Sequence, residues 1–79
     1  MQTVLPAPPA FPLPGLAAWR IRRTFTQEAL AAESGVSRVA IARIEAGNPA
    51  RLGTIRKLAI ALDVSPDVLR GTAEAAGNV

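Results

Sequence analysis

Residues 26–47, TQEALAAESGVSRVAIARIEAG, decide how this chain folds. The stretch reads as two short helices joined by a tight turn. Thr26 stands at an N-cap, where its hydroxyl can accept from a free backbone N–H, and Gly35 ends that helix. Ser37 and Gly47 give the same pair of signals around the next helix. Each start also carries an apolar residue just before the cap and another in the following turn, Phe25 with Leu30 and Val36 with Ile41. That spacing staples the incoming chain to the helix and sets its angle. The device recurs in VSPDVLRG, residues 64–71. There Ser65 caps, Pro66 takes the first helical position, Val64 pairs with Leu69 and Gly71 closes the helix.

Outward from this pair, LAAWRIRR (residues 16–23) begins the first helix. At about 100° per residue, Leu16, Trp19, Arg20 and Arg23 share a side. Trp19 reads as a core anchor, and Arg20 falls at the edge of the apolar face, where it needs a partner. Residues 48–53 form a loop marked by Pro49. A fourth helix then runs to about Leu62 on the apolar stripe Ile55, Leu58, Ala59 and Leu62. Its start is not assigned, because Arg51, Gly53 and Thr54 give conflicting signals. Asp63 fits a left-handed exit turn. The expected architecture is all-α, five short helices with short loops and no strand. Residues 16–71 form the domain. Residues 1–15, MQTVLPAPPAFPLPG, form an extended, polyproline-like or disordered Pro-rich arm, because Pro blocks helix and central strand. Residues 72–79 form a tail with too little apolar content to pack.

The bulk composition narrows the chemistry. With 79 residues, the chain holds one small domain, and its 49% hydrophobic content suffices for a core. It has no Cys and no His. Disulfides, thiolate metal sites and the usual Ser-His and Cys-His dyads are therefore absent, and neither an enzyme nor a cofactor is expected. The formal charge is +3 and eight of the nine basic residues are Arg. A sequence pI near 11.2 points to an anionic partner, nucleic acid first. No secretory signal or membrane span is read, so the expectation is a cytoplasmic protein.

The second helix of the central pair suggests what that partner is. On a helical wheel Ala40, Ile41 and Ile44 face the core, while Arg38, Val39, Ala42, Arg43 and Ala46 share the other side. That outer face lacks Glu and Lys, the usual surface fillers. Small residues permit close approach to a major groove, Arg can bond guanine O6 and N7, and a Val methyl can pack on a thymine methyl. The start of the preceding helix, at Gln27, suits a phosphate. Arg22, Arg23, Arg51, Arg56 and Lys57 are candidates for further contacts to the DNA backbone.

The quoted stretch resembles the helix-turn-helix of the Cro and lambda-repressor-like, XRE-type regulators. The resemblance rests on TQ at a helix start, LA within it, SGVSR at the turn and IARIEAG beyond. TIRKLAIALDVSPDVLRG resembles the family's fourth and fifth helices. The likeness implies a five-helix domain that binds double-stranded operator DNA, usually as a symmetric homodimer, in a bacterial or phage-encoded, nucleoid-associated regulator. By position, Ser37, Arg38, Val39, Ala42 and Arg43 match base-reading residues, and Gln27 matches a phosphate-clamping Gln. Asn48 and Arg51 fall in a loop that touches backbone, and Arg20 and Glu45 match an ion pair tying the first helix to the third. Thr24 stands where the family often has Gly, Gly53 weakens the start of helix four, and the Pro-rich arm is no part of the family core.

The leading expectation is a sequence-specific transcriptional repressor. The alternatives are an antitoxin that represses its own operon and a protein-binding adaptor that kept the fold. In the antitoxin reading the arm docks on a protein partner, with Val4, Leu5, Phe11 and Leu13 as its apolar contacts.

Overall fold

The computed structural model of the chain describes residues 9–71. The expectations for Val4, Leu5 and residues 72–79 fall outside them. Five helices follow one another: α1 (Leu16–Arg22), α2 (Gln27–Ser34), α3 (Arg38–Glu45), α4 (Leu52–Leu62) and α5 (Pro66–Arg70). Two caps behave as their sequences require. The Thr26 hydroxyl accepts from Ala29 N at 3.0 Å and the Ser37 hydroxyl from Ala40 N at 3.1 Å. Ser65 differs: it holds the N-cap position of α5, but its side chain makes no cap bond, and Pro66 alone marks the start. Gly35 ends α2 with φ +79°, in the left-handed region where a Cβ is strained. Asp63 ends α4 the same way at φ +57°.

Thr24 explains why its position favours glycine. It turns the chain between α1 and α2 with φ +61°, a conformation costly for a β-branched residue. Thr24→Gly is expected to raise stability by about 0.5–1 kcal/mol, the strain relief exceeding the extra entropy of glycine in the unfolded chain. Urea unfolding midpoints would show it; a lower midpoint would mean that the turn is not strained.

The core is continuous across all five helices. Leu16, Leu30, Ile41, Ile55, Leu58, Leu62 and Leu69 are fully buried. Leu13, Val36, Ile44, Ala50 and Ala59 complete it, with Trp19, Phe25, Ala40 and Val64 packed at its margin. Both members of each staple, Phe25–Leu30, Val36–Ile41 and Val64–Leu69, belong to this one cluster. Ile21, by contrast, is exposed, so α1 buries the face headed by Leu16.

Two expectations need correction. First, the described residues do contain strand. β1 (Ala10–Phe11) pairs antiparallel with β2 (Ala50–Arg51), with Ala10 opposite Arg51 and Phe11 opposite Ala50. The loop before α4 is therefore a strand followed directly by the helix, whose N-cap is Arg51 without a side-chain cap bond. Two-residue strands carry no alternation, which is why no period-2 pattern announces them.

Second, the Pro-rich segment, extended as one expectation has it, is not separate from the helical body where it is described. Leu13 is 2% exposed and belongs to the core, a burial worth roughly 1.5–3 kcal/mol. Phe11 is half-buried, with the Arg70 guanidinium 4.0 Å above its ring. Gly15 N–H donates to Leu69 O at 3.1 Å, and Leu16 N–H to Leu13 O at 3.1 Å. Phe11 and Leu13 thus spend their apolar surface on this chain's own body.

Gly15 permits that closure. A Cβ built there would lie 2.9 Å from Val68 O and 3.0 Å from Gly71 O, both backbone atoms that a side-chain rotation cannot move. Gly15→Ala is expected to cost about 1–3 kcal/mol by overpacking. The check is the melting temperature; an unchanged value would show that the α1–α5 contact yields freely.

Candidate nucleic-acid interface

The turn between α2 and α3 is built by Gly35, Val36 and Ser37. Gly35 reverses the chain, Val36 anchors it in the core, and Ser37 starts α3. Ile41 and Ile44 then fix the rotation of α3 about its axis by filling the core. The opposite face follows from helical geometry. Ser37, Arg38, Val39, Arg43 and Ala46 are exposed and Ala42 is half-buried. Val39 leaves 55% of its surface in solvent, an apolar group with no core role.

Glu45 is the acid on α3, and it is turned away from this face. Its carboxylate receives a two-pronged bond from Arg20, Nε to Oε2 at 2.6 Å and Nη2 to Oε1 at 3.1 Å. The two side chains are only 15% and 11% exposed. The third nitrogen of Arg20 donates to Phe25 O at 2.8 Å, so one guanidinium ties α1 to α3 and to the turn before α2. Hydrogen bonding to Glu45 holds the Arg20 pKa above its ordinary value; partial burial opposes this, and the charge of Glu45 adds to it. The partner that Arg20 required is the one the resemblance implied.

Gln27 joins the same network. Its Nε2 donates to Glu45 Oε1 at 3.0 Å, and its Oε1 accepts from Arg38 Nη1 at 3.4 Å. Gln27 opens α2, Arg38 opens α3, and Glu45 ends α3. The network therefore connects the first residue of α2 to both ends of α3. Arg20, Thr26, Gln27 and Arg38, with Glu28, line one open depression at the start of α2.

A second open groove lies between the end of α3 and the start of α4. Arg43, Asn48, Arg51 and Thr54 line it, over a floor that includes Ala40, Ile44 and Ala50. Arg43 and Arg51, from separate elements, thus share a site. Asn48 is partly committed there: both its backbone N–H and its Nδ2 donate to Arg43 O, at 3.0 and 3.1 Å, which caps the end of α3.

The remaining basic candidates are more scattered. The Arg23 Nε donates to Leu62 O at 3.0 Å and its Nη2 to Asp63 O at 3.4 Å, so Arg23 satisfies the carboxyl end of α4. The Arg22 guanidinium lies 4.9 Å from the Trp19 ring. Arg56 and Lys57 are exposed on α4. Sequence periodicity could not show that Arg23 and Asn48 bond backbone carbonyls, since neither partner lies on the same helix face. The Gln27–Glu45 bond was equally hidden, although a Gln beside an inward-turned Glu is a usable clue.

No helix among the described residues is long and apolar enough to cross a membrane. Comparison with curated proteins and with solved structures gives no significant match. A helix-turn-helix family model matches residues 16–69, a span that runs from the start of α1 into α5 and leaves out the arm. By that match, together with the capped pair α2–α3, the chain belongs to the Cro and lambda-repressor-like, XRE-type family of DNA-binding helix-turn-helix regulators.

Proposed function

We propose that this protein is a sequence-specific transcriptional repressor that reads the major groove of double-stranded DNA with α3, as a homodimer on its operator. The observation that carries the reading is the division of charge on α3. Arg38 and Arg43 are exposed among Ser37, Val39 and Ala42, while Glu45 is neutralised inward by Arg20. A carboxylate on the outer face would repel phosphate; its withdrawal leaves a cationic, small-residue surface suited to base edges.

In this reading Ser37, Arg38, Val39, Ala42 and Arg43 meet the bases. Gln27 approaches a phosphate at the start of α2 and also aims Arg38, through their mutual hydrogen bond. Arg51 contacts a second phosphate across the groove it shares with Arg43. Arg22, Arg56 and Lys57 add longer-range attraction. Arg23 and Asn48 act indirectly, by holding the ends of α4 and α3.

Selection of bound sites from random duplex DNA, followed by binding titrations over a range of salt, tests the proposal. The expected result is a palindrome with half-sites about one helical turn apart and affinity that falls steeply with salt. Recovery of no preferred sequence would overturn base reading. An asymmetric single site would overturn the dimer.

A further inference from the structure

The arm lies outside the span that the family model matches, yet its described residues, 9–15, are built into the fold near both ends of that stretch. At one end Gly15 bonds Leu69 and Leu13 fills the core. At the other, Ala10 and Phe11 pair with Ala50 and Arg51. The segment 50–51 is where the chain passes from the end of α3 to the start of α4, and α4 begins there without a side-chain cap. Beyond Asn48, bonded twice to Arg43 O, and Ala50, anchored in the core, the side chains of this junction fix little of it. Pro49 has no N–H to donate, Arg51 is exposed, and Gly53 in the first turn of α4 contributes no side chain. Ala50, directly opposite Phe11, is buried.

We propose that the arm is a positioning element for DNA binding: its pairing with Ala50–Arg51 fixes the backbone that carries Arg51 beside Arg43. Phe11 is the positioning residue. Its ring is clamped by Arg70 at 4.0 Å, which ties β1 to α5 and through β1 holds β2. The inference rests on the groove reading given above, because it assigns the arm a role only if the Arg43–Arg51 side meets DNA.

The test is a double-mutant cycle in the full chain, on a duplex carrying the site selected from random DNA. Arg51→Ala is expected to weaken binding roughly tenfold and to lower the slope of log affinity against log salt by about one, the mark of a single lost phosphate contact. Phe11→Ala, with its helical circular dichroism retained, is expected to give a similar loss and a similar fall in slope. The double variant is expected to bind about as well as Arg51→Ala alone, since both changes remove one contact. Phe11→Leu keeps an apolar side chain and should lie between wild type and Phe11→Ala; it carries the measurement if Phe11→Ala does not fold. Wild-type slope in a folded Phe11 variant would overturn the proposal, as would losses that multiply in the double variant. Arg43→Ala separates this from the underlying reading. If it binds as wild type does, groove reading fails and the arm's role fails with it. If it binds poorly while the Phe11 variants do not, only the arm's role fails.

Discussion

Glu45→Ala is expected to lower folding stability by about 3 kcal/mol, the low end of the range for breaking a buried ion pair. The low end applies because both side chains keep slight contact with solvent, 15% for Arg20 and 11% for Glu45. Three bonds disappear at once, two from Arg20 and one from Gln27. Arg20 is left with Phe25 O as its acceptor and no ion-pair partner among the described residues. The cost therefore comes mainly from leaving a cation half-desolvated, not from losing a favourable pair. It follows that Arg20→Met combined with Glu45→Leu should be less damaging than Glu45→Ala, although more is changed. Urea unfolding of wild type, both single variants (Arg20→Met, Glu45→Ala) and this pair would decide it. Single variants that each cost under about 1 kcal/mol would place the pair among ordinary surface ion pairs.

The largest effect on binding is expected from Arg38→Ala together with Arg43→Ala. Each Arg that bonds a guanine bidentately contributes about 1–3 kcal/mol of discrimination, or roughly fivefold to 150-fold. The two residues stand at opposite ends of α3, one resting on Gln27 and the other lining the groove toward Arg51. They should therefore relax base preference at separate positions of the half-site, with nearly additive losses. Gln27→Ala should act differently, weakening binding mainly to all sequences alike through the lost phosphate contact, with only a minor loss of base preference as the hold on Arg38 loosens. Competition titrations with single-base variants of the selected site distinguish these patterns. If the double variant binds its site as tightly as wild type, α3 does not read the groove.

Much of the fold was legible because the helix starts repeat one local grammar. Thr26, Ser37 and Pro66 mark their helices through interactions spanning a single turn, and the staples point each helix into the core. Local rules of that range survive in the three-dimensional structure. Arg20 was legible for a different reason: a charge at the edge of an apolar face needs a partner, and the family resemblance, not the wheel, named Glu45 as that partner. The illegible parts are those in which distant segments meet. Nothing within residues 10–13 says that Leu13 will enter the core, because one Leu among prolines has no periodicity to share. Arg23, which the wheel puts on the side of Trp19 and Arg20, shows no acceptor in the sequence until the end of α4 arrives beside it. Thr24 lies between these cases: a Thr where the family often has Gly marks the position, and only the backbone angle, φ +61°, shows the strain the turn places on it.

The closure of the arm also has a kinetic side. Its contacts join Ala10 to Arg51 and Gly15 to Leu69, each spanning most of the domain's sequence. Such pairings carry the greatest loop-closure entropy and form only once the intervening helices are in place. The capped α2–α3 pair, made of near neighbours, is suited to form early. The arm would then dock last, and in the finished molecule it would be the unit that opens first. Brief sub-global opening would uncover Leu13 while the helical body stays intact, which makes the segment before α1 the place, among the described residues, where a protease would begin.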